Sequence, residues 1–181
     1  MPPPTASLDQ MINDLLTDNV DVRRLTRERL AEFDPEIIPT LMRAVKKNPQ
    51  NYRMNVGVAT VISGMLHRGK PARSVAAQLT PEDLKIIEQW VLTGDSALRS
   101  PSAGILALTS DIDTLKKMTT DTSNSGDPEA LYYASWVLSN SYRRFLGDQQ
   151  SMSEIKGMVA ELRNRALGTD ALILLNKVPS E

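Results

Sequence analysis

The stretch Asp34–Leu66, DPEIIPTLMRAVKKNPQNYRMNVGVATVISGML, carries two helix signals in succession with a short polar break between them. Asp34 is expected to cap a helix whose first residue is Pro35, and Ile37, Ile38, Leu41, Met42 and Val45 then recur at the three- and four-residue steps of one helix face. Beyond Asn48 and Pro49, apolar or small residues at Met54, Val56, Val58, Ala59, Val61, Ile62, Met65 and Leu66 are too nearly continuous for a surface helix. Together they predict a helical hairpin with a buried inner face.

Working outward, residues 1–6 read as a stiff, disordered lead containing Pro2 to Pro4. Ser7 with Gln10 reads as a capping box for a helix carrying Leu8, Met11, Ile12, Leu15 and Leu16. Asp18 and Asn19 break it, and a second helix from Val20 to Phe33 completes a first pair, 7–33. The pair 34–67 ends at Gly69 and Pro71, and whether 72–79 is helical stays open. Thr80, Pro81, Glu82 and Asp83 form the strongest start signal in the chain: a cap, a proline at the first helical position, and two acids at the positive end of the dipole. The helix they open is expected to bury Leu84, Ile87, Trp90 and Val91. Its partner helix makes a third pair, 80–109, with Ser100 before Pro101 as the expected cap. A fourth pair, 110–147, has a short leading helix to Met118, a flexible loop TTDTSNSGD from Thr119 to Asp127, and a helix from Asp127 to Leu146 that holds five of the chain's eight aromatic residues. Ser151 with Glu154 reads as a capping box that opens a C-terminal cap, 151–178.

Several of these features share a phrase. Pro39 lies inside a first helix, an Asn-Pro break follows, and Tyr52-Arg53 opens a second helix. TGDSALRSPSAGILAL puts Arg99 where TDNVDVRRLTRERLAEF has Arg23, and Leu131 stands in that place in the fourth pair. The pattern resembles a HEAT repeat. The resemblance implies an all-α fold, a right-handed α-α superhelix of about four HEAT-like helix pairs with a C-terminal helical cap, forming one helical-repeat domain over 7–178. It also implies a scaffold that binds partners along its second helices rather than a catalyst.

Composition narrows the function classes. The 181 residues contain no cysteine and one histidine, His67, which removes thiolate metal sites, cysteine nucleophiles and His-based dyads. No Gly-rich phosphate loop follows a strand, so no cofactor is expected. The Asp-x-Asp at Asp111 and Asp113 reads as capping chemistry rather than a metal site. His67 reads as a helix-end cation or carbonyl donor. Apolar runs are too short to cross a bilayer, and the start MPPPTASLDQ lacks a basic, then apolar, leader, so a cytoplasmic protein without membrane contact is expected. With 21 basic and 22 acidic residues, nothing global drives binding to nucleic acid.

Locally the charge is uneven. Between Glu36 and Glu82 there is no acid, while Arg43, Lys46, Lys47, Arg53, Arg68, Lys70 and Arg73 all fall there. One reading is cations completing helix C-terminal dipoles; the other is a rim where helix ends converge to meet an acidic partner. The candidate partner-binding residues are Arg24, Arg27, Arg43, Lys46, Lys47, Arg68 and Lys70 as a cationic half, and Tyr132, Tyr142 and Arg143 as an aromatic half. Their expected ligand is an acidic, partly apolar protein segment. The alternative is a nucleic-acid-binding repeat protein that uses the basic segment 43–73 as a phosphate track. Tyr133, Trp136 and Val137 share a face and are expected in the core.

Overall fold

The computed structural model describes residues 7–179, and every regular element among them is helical. The disordered lead expected at residues 1–6 lies outside the described residues. The chain divides into two compact units, Met1–Leu79 and Thr80–Glu181, where the sequence reading has one domain.

The first unit holds α1 (Leu8–Asp14), α2 (Val20–Leu30), a 3-10 turn at Pro35–Ile37, α3 (Ile38–Lys47), α4 (Tyr52–His67) and α5 (Ala72–Ala76). Its centre is α4, which packs on α2, α3 and α5. Val58, Ala59, Val61, Ile62 and Met65 are all fully buried, as the near-continuous apolar run requires. Gly64 sets how closely α2 can approach: a Cβ there would sit 3.1 Å from that of Ala31. Leu30, Ile38, Leu41, Met42 and Val45 close the core from the other side.

Two local expectations in this unit are corrected. Asp34 makes no side-chain cap; its carboxylate accepts instead from Lys70 Nζ at 2.9 Å. Pro35 therefore opens a 3-10 turn, and α3 begins three residues later with Pro39 near its start, where the missing N–H has no helical partner to lose. At Ser7 only half a capping box forms, because Gln10 turns its amide to Asp14.

The second unit holds α6 (Pro81–Thr93), α7 (Ser96–Thr109), α8 (Ile112–Ser125), α9 (Pro128–Ser141), a 3-10 turn at Tyr142–Phe145, α10 (Gln149–Arg165) and α11 (Asp170–Leu175). Leading helices pack in the order α6, α8, α10, and following helices in the order α7, α9, α11. The capping box at Thr80 forms in full, with Asp83 accepting from the Thr80 N–H at 2.9 Å and Thr80 Oγ1 accepting from the Asp83 N–H at 3.2 Å.

Three expectations here are corrected. Asp95, not Ser100, caps α7, so Pro101 lies within the helix. The loop expected at Thr119–Asp127 is helix as far as Ser125 and ends at Gly126 in the left-handed region, φ 67°. Thr119, Thr122 and Ser123 continue the buried face begun by Leu115 and Met118, and Thr119 hides its hydroxyl on the Leu115 carbonyl. Finally, Asp148 rather than Ser151 caps α10, while Glu154 pairs with Lys116 of α8.

Candidate functional site

The positions that open the second helices explain how each hairpin is tied. Arg23 and Arg99 each stand four residues beyond an N-cap, Asn19 and Asp95. Arg23 donates to Thr17 O at 2.5 Å, and Arg99 donates to Leu92 O at 2.9 Å. Both carbonyls are left over at or after the end of the leading helix. In α4 the residue four beyond the cap Asn51 is Asn55, not Arg53, and its amide donates to Pro49 O at 2.8 Å. The equivalence of Arg53 with Arg23 and Arg99 is thus a register off by two, because a side-chain amide does the same work over a shorter reach.

Arg53 has a different role. It meets Asp18 and donates to Leu16 O at 3.3 Å, so it ties the second helix pair to the first. Arg68 pairs with Glu32 at 3.1 Å, and Lys70 with Asp34 at 2.9 Å. The acid-free segment therefore finds its acids 35 or 36 residues earlier in the chain. The same device recurs in the second unit, where Arg99 reaches Asp127 and Glu129, and Lys117 reaches Glu88. Burial raises the Glu88 carboxyl above the usual range against the opposing pull of Lys117.

These pairs sort the candidate residues. Arg68 and Lys70 are engaged in holding the hairpins together, and Arg24 pairs with Asp21 on its own helix at 3.5 Å. Lys46 lies exposed in the last turn of α3. Arg43 and Lys47 make no ion pair among the described residues. They line an open cavity of about 440 Å³ where α1 faces α3, with Asp9, Asn13, Thr40, Asn48 and Asn51 as its other polar groups and Ile12, Leu16, Ala44 and Met54 as apolar wall. Arg27 belongs elsewhere, to a cleft of about 240 Å³ between α2 and α4 that Arg23 and Arg53 also line.

The aromatic half is less united. Tyr132 is 38% exposed and edges onto the Tyr133 ring, with centroids 5.3 Å apart. Tyr142 is half-buried at the far end of α9, where it accepts from Arg143 Nε at 3.3 Å. Ten residues of helix separate the two tyrosines by roughly 15 Å, so they form two spots and not one. Val137 is buried as expected, whereas Tyr133 and Trp136 are only half-buried. Arg144, in sequence only a neighbour of the aromatic cluster, has a structural role for which there is no local signal: its guanidinium donates to Ala107 O at 2.8 Å and to Ser110 O, closing carbonyls at the end of α7.

No family model, curated protein or solved structure matches this chain. No group of three or more His, Asp or Glu residues able to hold a metal ion occurs among the described residues, and no helix there is long and apolar enough to cross a membrane. Asp111 caps α8 through the Thr114 N–H at 2.8 Å, and His67 Nδ1 lies 2.8 Å from Ser63 O, which fits the capping and carbonyl-donor readings of those two residues.

Proposed function

We propose that this chain is a HEAT-like helical-repeat adaptor that binds an acidic, partly apolar segment of a partner protein without catalysing a reaction. The observation that carries the reading is the cavity between α1 and α3. Its cations Arg43 and Lys47 have no acid paired to them among the described residues, and they stand over an apolar wall of Ile12, Leu16, Ala44 and Met54. Such a lining suits a ligand that offers carboxylates at one edge and aliphatic side chains at the other. Two further features support a repeat architecture: ties that span 35 or 36 residues between successive hairpins of the first unit, and the leading-on-leading, following-on-following packing in the second. The ion pairs of Arg53, Arg68 and Lys70 count against a phosphate track along 43–73, since they leave fewer cations for a nucleic acid.

The test is fluorescence anisotropy with a labelled peptide of alternating glutamate and leucine. Arg43→Glu combined with Lys47→Glu is expected to weaken binding about tenfold or more, chiefly through slower association and with a strong salt dependence, and to leave the melting temperature nearly unchanged. The reading is wrong if the peptide does not bind, or if it binds the double variant equally well. Duplex DNA retained at about 50 mM salt, with a log-log salt slope near −6, would favour the phosphate track instead.

A further inference from the structure

The cleft between α2 and α4 is lined by Leu15, Arg23, Arg27, Tyr52, Arg53, Val56 and Gly57, three arginines and no acid. We propose that it is a binding site for a phosphomonoester group carried on a peptide chain. The site lies on the second helices of the first two hairpins. It is distinct from the Arg43–Lys47 cavity and does not depend on the acidic-segment reading.

Three arguments lead there. The first is charge: three guanidinium groups around one small space repel each other, and among the described residues the only carboxylate in contact with any of them is Asp18, on Arg53, with its side chain 93% exposed. Asp18 marks where an anion is stabilised. The hydrogen bond and charge of Arg53, with the charge of Arg23 behind them, hold its carboxyl below the ordinary aspartate range. A carboxylate brings one negative charge to this lining, whereas a phosphomonoester brings about 1.5 to 2.

The second argument is donor geometry. Among the described residues, Arg27 spends only its Nε, on Arg23 O at 3.2 Å, and Arg23 only its Nη1, on Thr17 O. Those bonds fix both side chains while leaving terminal N–H groups for oxygen atoms at the forked spacing that phosphate offers.

The third is size. At about 240 Å³ the cleft falls below the ~300 to 1,000 Å³ range of pockets that enclose a whole small molecule, so it suits one group projecting from a larger chain. Leu15 and Val56 in its lining offer apolar contact to the side chains that a peptide brings and free phosphate lacks.

The experiment uses the full chain and a fluorescein-labelled peptide of about nine residues with a central phosphoserine flanked by leucines. The phosphopeptide is expected to bind at least tenfold tighter than its unphosphorylated twin, and Arg27→Gln and Arg53→Gln each to weaken it about tenfold, while Arg24→Gln, at a residue that pairs with Asp21 and does not line the cleft, leaves it nearly unchanged. Asp18→Asn removes the internal competitor and is expected to tighten binding severalfold, whereas Asp21→Asn, the same charge change outside the cleft, is not. Equal affinity for the two peptides, or equal effects of Asp18→Asn and Asp21→Asn, would overturn the proposal. Inorganic phosphate that binds as tightly as the phosphopeptide would overturn the assignment to a peptide-borne group. Because none of these variants touches Arg43 or Lys47, failure here leaves the acidic-segment reading standing, and the reverse holds as well.

Discussion

At the scale of single residues, buried Arg99 shows how one side chain fixes a fold locally. It is 3% exposed, yet it satisfies a leftover carbonyl of α6 and two carboxylates at the start of α9. Asp127 is one of them and also caps α9 through the Glu129 N–H at 2.9 Å. The hydrogen bond from Arg99, aided by those of the Glu129 and Ala130 backbone and opposed by burial, holds the Asp127 carboxyl below its ordinary value of about 3.8. A depressed carboxylate contributes stability above the unfolded value that is lost as pH falls through the folded one. Asp127→Asn keeps a good cap and removes only the charge. It is expected to cost about 1 kcal/mol at pH 7, a modest figure because the aspartate is partly solvated, and nothing once the pH lies well below 3.8. Urea titrations of both proteins across that range measure the difference. If the gap between them persists at the acid end, the loss comes from packing and not from charge.

At the scale of helices, the elements that were legible in sequence are those where apolar spacing and a cap agree, such as Thr80 to Thr93 and Asn51 to His67. The misreadings have a common physical cause. Thr119, Thr122 and Ser123 look like loop residues, but small hydroxyl side chains fit a helix face that packs closely, and their spacing after Leu115 and Met118 was the signal available. Asp34, Ser100 and Ser151 all have plausible capping chemistry, and in each case a competing partner or a better cap nearby takes over. Which one wins depends on contacts far apart in sequence, for example Lys70 on Asp34. The cavity and the cleft were half legible: Arg27, Arg43 and Lys47 stood out by charge, but which of them share a lining depends on how the hairpins pack. Pro101 is the clearest cost left inside an element. Its missing N–H removes the i−4 helical partner of Ala97 O, but Ala97 is exposed, so that carbonyl is not left buried and the helix continues. A proline in a helix interior costs about 3 kcal/mol, offset by up to about 1 from a stiffer unfolded chain. Pro101→Ala is therefore expected to stabilise the second unit by about 2 kcal/mol in chemical denaturation. An unchanged or lower midpoint would mean that the ring's own packing outweighs the backbone.

At the scale of the whole chain, the division at Leu79 and Thr80 makes a prediction about autonomy. The Thr80 cap closes on Asp83 of its own helix, and the ties of Arg99, Lys117, Lys116 and Arg144 all join residues of the second unit. About 100 residues with a core that includes Ile87, Val91, Ile105, Leu106, Leu115, Met118, Val137, Leu138 and Leu162 bury enough apolar surface for independent stability. The fragment Thr80–Glu181 is expected to keep a helical circular dichroism spectrum and to melt cooperatively. Met1–Leu79, with the short helices α1 and α5 at its ends, is expected to melt at a lower temperature or not to fold alone. The cavity of Arg43 and Lys47 and the cleft of Arg23, Arg27 and Arg53 both belong to the first unit. A folded second unit should therefore bind neither the acidic peptide nor the phosphopeptide, while the full chain binds both. Should the isolated second unit retain either affinity, that ligand's site lies outside the first unit and its assignment falls; should the fragment unfold without cooperativity, the two units are not thermodynamically separate.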